Sequence, residues 1–212
     1  AGLQGVFRNP LVEPGLIGVS SGAAIGAVTA MLLELDDLSL GRVPLLGELS
    51  GWLTPIVAFL SGVITTLLVY RMAYQQRNTL NLLLIGLAIN SIAAAFIGVV
   101  SFGGNQGPLA AGEIVLWTLG SIGATGWQDV EIVAPFVLVG AIGLPLLSHQ
   151  LNLMALGETE ARHLGVNVAS LRLTVILLSA LMVGVSVAFV GMIGFVGLVV
   201  PHLIRLLFGP DH

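Results

Sequence analysis

The sequence predicts an all-α fold: a polytopic bundle of membrane helices forming one domain over residues 1–212. Three observations carry this. Hydrophobic residues make up 56% of the chain and charged residues 8%, with mean hydropathy +1.03, far from the roughly 25% charged content of a water-soluble domain. The apolar residues gather into segments near the length, about 20 helical residues, that crosses a hydrocarbon layer of about 30 Å. The short alternating runs of about ten residues that mark a membrane β-barrel are absent from the sequence.

Taken in order, about six spans are expected: Leu16–Leu33, Trp52–Tyr70, Thr79–Phe102, Ile132–Leu151, Leu173–Val190 and Met192–Phe208. Gly18, Gly22 and Gly26 recur every fourth residue in the first and give it a flat face for close helix packing. The connection 34–51 is acidic and holds Gly41, Pro44 and Gly47, as an irregular surface loop does. Between the third and fourth spans, Glu113–Leu119 is too short to cross and reads as a half-helix at the interface, either a gate or a seal. Gly157–Asn167 is a polar interruption between spans. Overlapping its start, Ala155–Leu164 suits a short helix with early carboxylates and with Arg162 and His163 last, matching the helix dipole, and Gly165 as terminator. A further turn, Val168–Leu171, leads into the fifth span. The last span holds Pro201, His202 and Arg205.

Charge orients the bundle, because short cytoplasmic loops collect Arg and Lys. There is no Lys. Of seven Arg, six (Arg8, Arg71, Arg77, Arg162, Arg172, Arg205) fall on one side of the alternating spans, and only Arg42 on the other. This predicts 71–78 and 152–172 in the cytoplasm and 34–51 and 103–131 outside. Trp52, Trp117 and Trp127 sit near outer span ends and Tyr70 and Tyr74 at an inner end, as an aromatic belt places them. The amino end has neither Met nor the layout of a signal peptide, and with the stop at GPDH this suggests an excerpt of a longer chain.

Several chemistries are disfavoured. With no Cys there are no disulfides or thiolate sites, and a net charge of −4 argues against nucleic acid. Gly18-Val19-Ser20-Ser21-Gly22 matches a hydrolase pattern but opens a membrane helix rather than a strand-to-helix elbow. The four His show no i,i+4 pairing and no carboxylate at ligand spacing, so no metal site is expected; nor is a cofactor expected on this chain. Span interiors hold no Asp, Glu or Lys, the residues that ion-coupled carriers keep at a cost of about 2.5–3.5 kcal/mol each. Asn90, Ser91, Ser179 and Ser186 remain, either lining a path for a polar solute or bonding neighbouring helices. Energy would then enter from outside the spans, with the polar loop as the port.

The segments RNPLVEPGLIGVSSGAAIGA (8–27), LNLLLIGLAIN (80–90), LWTLGSIG (116–123), ALGETEARHLGVN (155–167) and GMIGFVGLVVPHLIRLLFGPDH (191–212) closely resemble FecCD-type permeases, the membrane subunits of ABC importers for iron-siderophores, haem and vitamin B12. The resemblance implies a fold of roughly ten helices in the bacterial cytoplasmic membrane. The first helix, most of the second and the last two would lie outside this sequence. It implies as partners a second permease subunit, usually an identical copy, two cytoplasmic ATPases that bind ATP and magnesium, and an external solute-binding protein. The chain itself would catalyse nothing. It places the ATPase contact on Leu156, Gly157, Glu158, Ala161, Arg162, Leu164 and Gly165, and the inner constriction of the pathway near Asn9, Leu11, Asn78 and Thr79. An ion-coupled carrier, a passive channel and a purely structural membrane subunit are the alternatives.

Overall fold

The computed structural model describes residues 2–7, 9, 12–35, 51–74, 79–103, 108–123 and 125–209. Among these the regular structure is helical, with no strand. The order is α1 (Gly2–Phe7), a 3-10 turn (Pro14–Ile17), α2 (Val19–Leu32), α3 (Leu53–Tyr74), α4 (Thr79–Gly103), α5 (Pro108–Leu119), α6 (Trp127–Leu146), α7 (Ser148–Leu156), α8 (Glu158–His163), α9 (Val168–Val190) and α10 (Val196–Phe208).

Among the described residues four helices, α3, α4, α6 and α9, are long and apolar enough to cross a membrane. Their 22, 25, 20 and 23 residues reach about 30–38 Å at about 1.5 Å per residue. The first and last expected spans are shorter than the sequence suggests. Gly18, at φ 85°, separates the Pro14–Ile17 turn from α2, which has 14 residues. The segment Gly191–Phe195 is not helical, and α10 has only 13 residues. The fourth expected span is shifted: α6 starts at Trp127 and stops after Pro145-Leu146, where the Leu147 N–H bonds to Leu144 O at 3.0 Å in a tightened last turn. The half-helix expected at Glu113–Leu119 is the second half of α5.

Two apolar clusters hold opposite ends of the bundle. At one end Leu3, Val6, Phe7, Val69, Ala73, Met154, Ala161, Val166, Leu171 and Val175 come together from α1, α3, α7, α8 and α9. At the other, Ala23, Ala27, Ala58, Val187 and Ala188 pack with Phe59, Trp117 and Phe189, and Trp52 meets Phe189 edge-on at 5.9 Å. Arg71, Arg162 and Arg172 adjoin the first cluster; Glu113, Asp129 and Trp127 lie on the elements at the second end. The loop 36–50 lies outside the described residues.

The closest helix pairing, α2 on α3, follows from the small-residue face. A Cβ on Gly26 would stand 2.6 Å from Val57 O, and one on Gly22 2.8 Å from Ser61 O; Gly62 of α3 returns the contact, 2.9 Å from Val19 O. Gly18 adjoins Thr65 and Val69 of α3. In a medium as apolar as the side chains, close backbone approach of this kind is what draws helices together.

Candidate coupling surface and pathway elements

The polar loop folds as two short helices joined at a sharp corner. Gly157, at φ 137° and ψ 152°, ends α7 and starts α8, in a region of backbone space essentially reserved for glycine. Gly165, at φ 87°, lies two residues past the end of α8 and has open space around it, the left-handed ending expected of a helix terminator. Glu158 and Glu160 stand in the first turn of α8 and Arg162 and His163 in the last. The turn expected at Val168–Leu171 is continuous with the span and forms the start of α9. It is capped by Asn167, whose side-chain oxygen accepts from Ser170 N at 3.1 Å.

The loop residues divide between two faces. Ala161 is fully buried in the chain's own cluster, and Gly157 is buried too. The resemblance puts Ala161 in the ATPase contact, but its side chain here has an inward role instead: it lets α8 sit on α7 and α9. Leu156 and Leu164 stand on the opposite side, 64% and 58% exposed. Glu158 also turns inward. It accepts a hydrogen bond from Arg172 Nη2 of α9 and lies 3.6 Å from Arg162 Nη2 within α8. A groove of about 510 Å³ borders the loop, lined by Leu164, Gly165 and Asn167 on one side and His149, Gln150 and Ser170 on another. A second cavity, of about 420 Å³ near Trp52 and Phe136, is walled almost wholly by apolar and aromatic groups and offers little for recognising a polar solute.

Among the expected pathway residues, Leu11 and Asn78 lie outside the described residues. Thr79 begins α4, and Asn9 closes α1, its N–H bonding to Gln4 O at 3.1 Å. Asn90 is a packing residue on one side: its Nδ2 donates to Gly15 O at 3.0 Å, while Oδ1 is buried with no partner among the described residues. One turn earlier, a Cβ on Gly86 would overlap the Leu16 carbonyl. Together Gly86 and Asn90 make a seat on α4 for the Pro14–Ile17 turn. Ser91 is exposed and returns its hydroxyl to Leu87 O at 3.0 Å, and Ser186 does the same to Met182 O at 2.8 Å, so both hydroxyls are satisfied within their own helices. No cluster of three or more potential metal-binding side chains occurs among the described residues.

Arg172 and Gly86 are the two residues of this region that sequence reading missed. Arg172 is fourteen residues from Glu158 in a different helix, so no local spacing signals the pair. Gly86 did leave a signal, as a glycine in the middle of an apolar helix.

This arrangement has counterparts among known proteins. The chain is 40% identical over 212 residues to the hemin transport system permease protein HmuU of Yersinia pestis, covering 99% of this chain and 60% of that one. It is 37% identical over 210 residues to the vitamin B12 import system permease protein BtuC of Salmonella paratyphi A, again covering 99% and 60%. The fold matches a solved structure described as an inward-facing conformation of an ABC transporter assigned to the metal-chelate type. That match has a TM-score of 0.85 and 34% identity, over 100% of this chain and 63% of the other. The chain thus spans about 60% of the length of these relatives. A family model described as the FecCD transport family matches residues 1–212 from end to end, and the chain belongs to that family.

Proposed function

We propose that the chain forms the core of the membrane-spanning permease of an ATP-driven importer, with α8 and its flanking leucines as the surface on which a cytoplasmic ATPase docks. The observation that carries this is the pair Leu156 and Leu164. Large apolar groups exposed on the long spans face lipid, but these two flank a short polar helix outside the spans, where exposed leucine signals a protein partner. The inner face of α8 is packed on the chain itself, so a load on its outer face would reach the bundle. The permease hydrolyses nothing. Two ATPase subunits, a second permease copy and an external solute-binding protein complete the machine, in the bacterial cytoplasmic membrane with the Arg-rich end inward. The solute is a metal chelate of the haem, cobalamin or iron-siderophore class, a reading supported by the kinship with haem and B12 permeases. The open face of α4, with Ser91, borders the pathway, and Asn9, Leu11, Asn78 and Thr79 narrow its inner end.

The test is co-purification of the permease, at its natural length, with the ATPase encoded beside it. Leu156→Glu and Leu164→Glu place charges on the docking face and should cut ATPase recovery at least about tenfold, corresponding to about 1.4 kcal/mol, at unchanged membrane levels. Undiminished recovery with both substitutions would overturn the assignment.

A further inference from the structure

Arg172 is the one charged residue near the loop that is largely enclosed, its side chain 18% exposed and its Nε buried without a partner among the described residues. It sits in the second turn of α9, and its Nη2 reaches across to Glu158 at the start of α8. Glu158 is itself flanked by Arg162 from the same helix, at 3.6 Å. Around this ion pair Ala161, Val166, Val168 and Leu171 form one continuous buried surface with Leu151 and Met154 of α7. At its far end α9 is held as firmly. The Val190 carbonyl accepts the Ser121 N–H at 2.8 Å, and Gly191 lies so close to the Trp117 carbonyl at the end of α5 that a Cβ there would overlap it.

We propose that the Glu158–Arg172 pair is a clamp that makes α8 and α9 one rigid body, so that a displacement of the surface helix moves α9 and, through Val190 and Gly191, the short outer helix α5. Arg172 is a positioning residue in this scheme and touches neither solute nor ATPase. The clamp rests on the proposed function only for the origin of the force. The local packing of α8 fixes its location, but the charge pair fixes its angle: a guanidinium presents its donors in a planar fork, and an enclosed Arg that loses its carboxylate becomes an unpaired buried charge. These 212 residues hold no Cys, so spin labels can be placed without background once any Cys elsewhere in the natural-length protein has been replaced.

Labels at Thr159→Cys on α8 and Leu177→Cys on α9, both exposed positions, report the angle between the helices by pulsed dipolar spectroscopy. The protein is used at its natural length in lipid nanodiscs, alone and with its ATPase trapped by vanadate. With Glu158 and Arg172 present, one narrow distance distribution is expected, the same in both preparations. Arg172→Met and Glu158→Gln should each broaden it and make it shift on vanadate trapping. The charge swap Glu158→Arg with Arg172→Glu, made together with Arg162→Gln so that no like-charge pair arises along α8, should restore the narrow distribution. Unchanged distributions in both single variants would overturn the clamp. So would a distribution that broadens but is not regained by the swap, because packing rather than the ion pair would then carry the effect. The measurement without ATPase reads the clamp alone, so a failure of the proposed docking leaves that comparison standing. Glu158 is half-exposed, which makes Glu158→Gln a readable variant even where Arg172→Met lowers the yield.

Discussion

At the residue scale, the bundle is set by places where a side chain is missing. Gly22 and Gly26 let α2 press its backbone onto α3, and Gly86 lets the Pro14–Ile17 turn press onto α4. Gly22→Leu is expected to force the two helices apart, costing at least about 1–3 kcal/mol as overpacking does. Lower membrane abundance and a lower thermal midpoint in detergent would show it; a midpoint equal to that of the unsubstituted protein would contradict the packing. Asn90→Ala should cost less, about 1 kcal/mol for one lost hydrogen bond to Gly15 O, and should raise proteolytic sensitivity near residues 13–17 while sparing α8. If Asn90 served the solute alone, transport would fall with no change in that protease pattern.

At the element scale, sequence reading succeeded where length and hydropathy decide. The long helices α3, α4 and α9 lie within a few residues of their expected spans, because about 20 apolar residues in lipid have little alternative to a helix. It failed where the chain is broken by local geometry inside an apolar run. Gly18 adopts a left-handed conformation within the first expected span, and Gly191–Phe195 is non-helical within the last; hydropathy is blind to both, although the clustered glycines Gly15, Gly18, Gly191 and Gly194 were a signal. In the polar loop, charge order and Gly165 located a short helix, but which side faces inward depends on tertiary packing. Hence Ala161 was read as an outward residue, and the Glu158–Arg172 pair was invisible.

Helix direction alternates along α3, α4, α6 and α9, so the ends bearing Thr159 and Gln128 should lie on opposite sides of the membrane. With a single Cys at each position in turn, an impermeant maleimide applied to intact cells should label Gln128→Cys and spare Thr159→Cys until the cells are opened. Labelling of both from outside would contradict the Arg-inside orientation.

At the scale of the whole molecule, two apolar clusters tie opposite ends of the bundle, and α9, the most buried of the four long helices, belongs to both. One end presents a polar loop with two exposed leucines. The other carries a short helix, α5, fastened to the end of α9. Under the proposed function, this layout would receive force at one surface and deliver it at the other, and kinship with haem and vitamin B12 permeases supplies the context for that proposal. The central claim is that force enters through the outer face of α8. A photo-cross-linking amino acid at Leu164, in the natural-length protein in its native membrane, tests this most directly. The account predicts a covalent adduct with the ATPase subunit from Leu164 and none from Gln128. Absence of that adduct from Leu164, with an ATPase adduct from Gln128 instead, would contradict it.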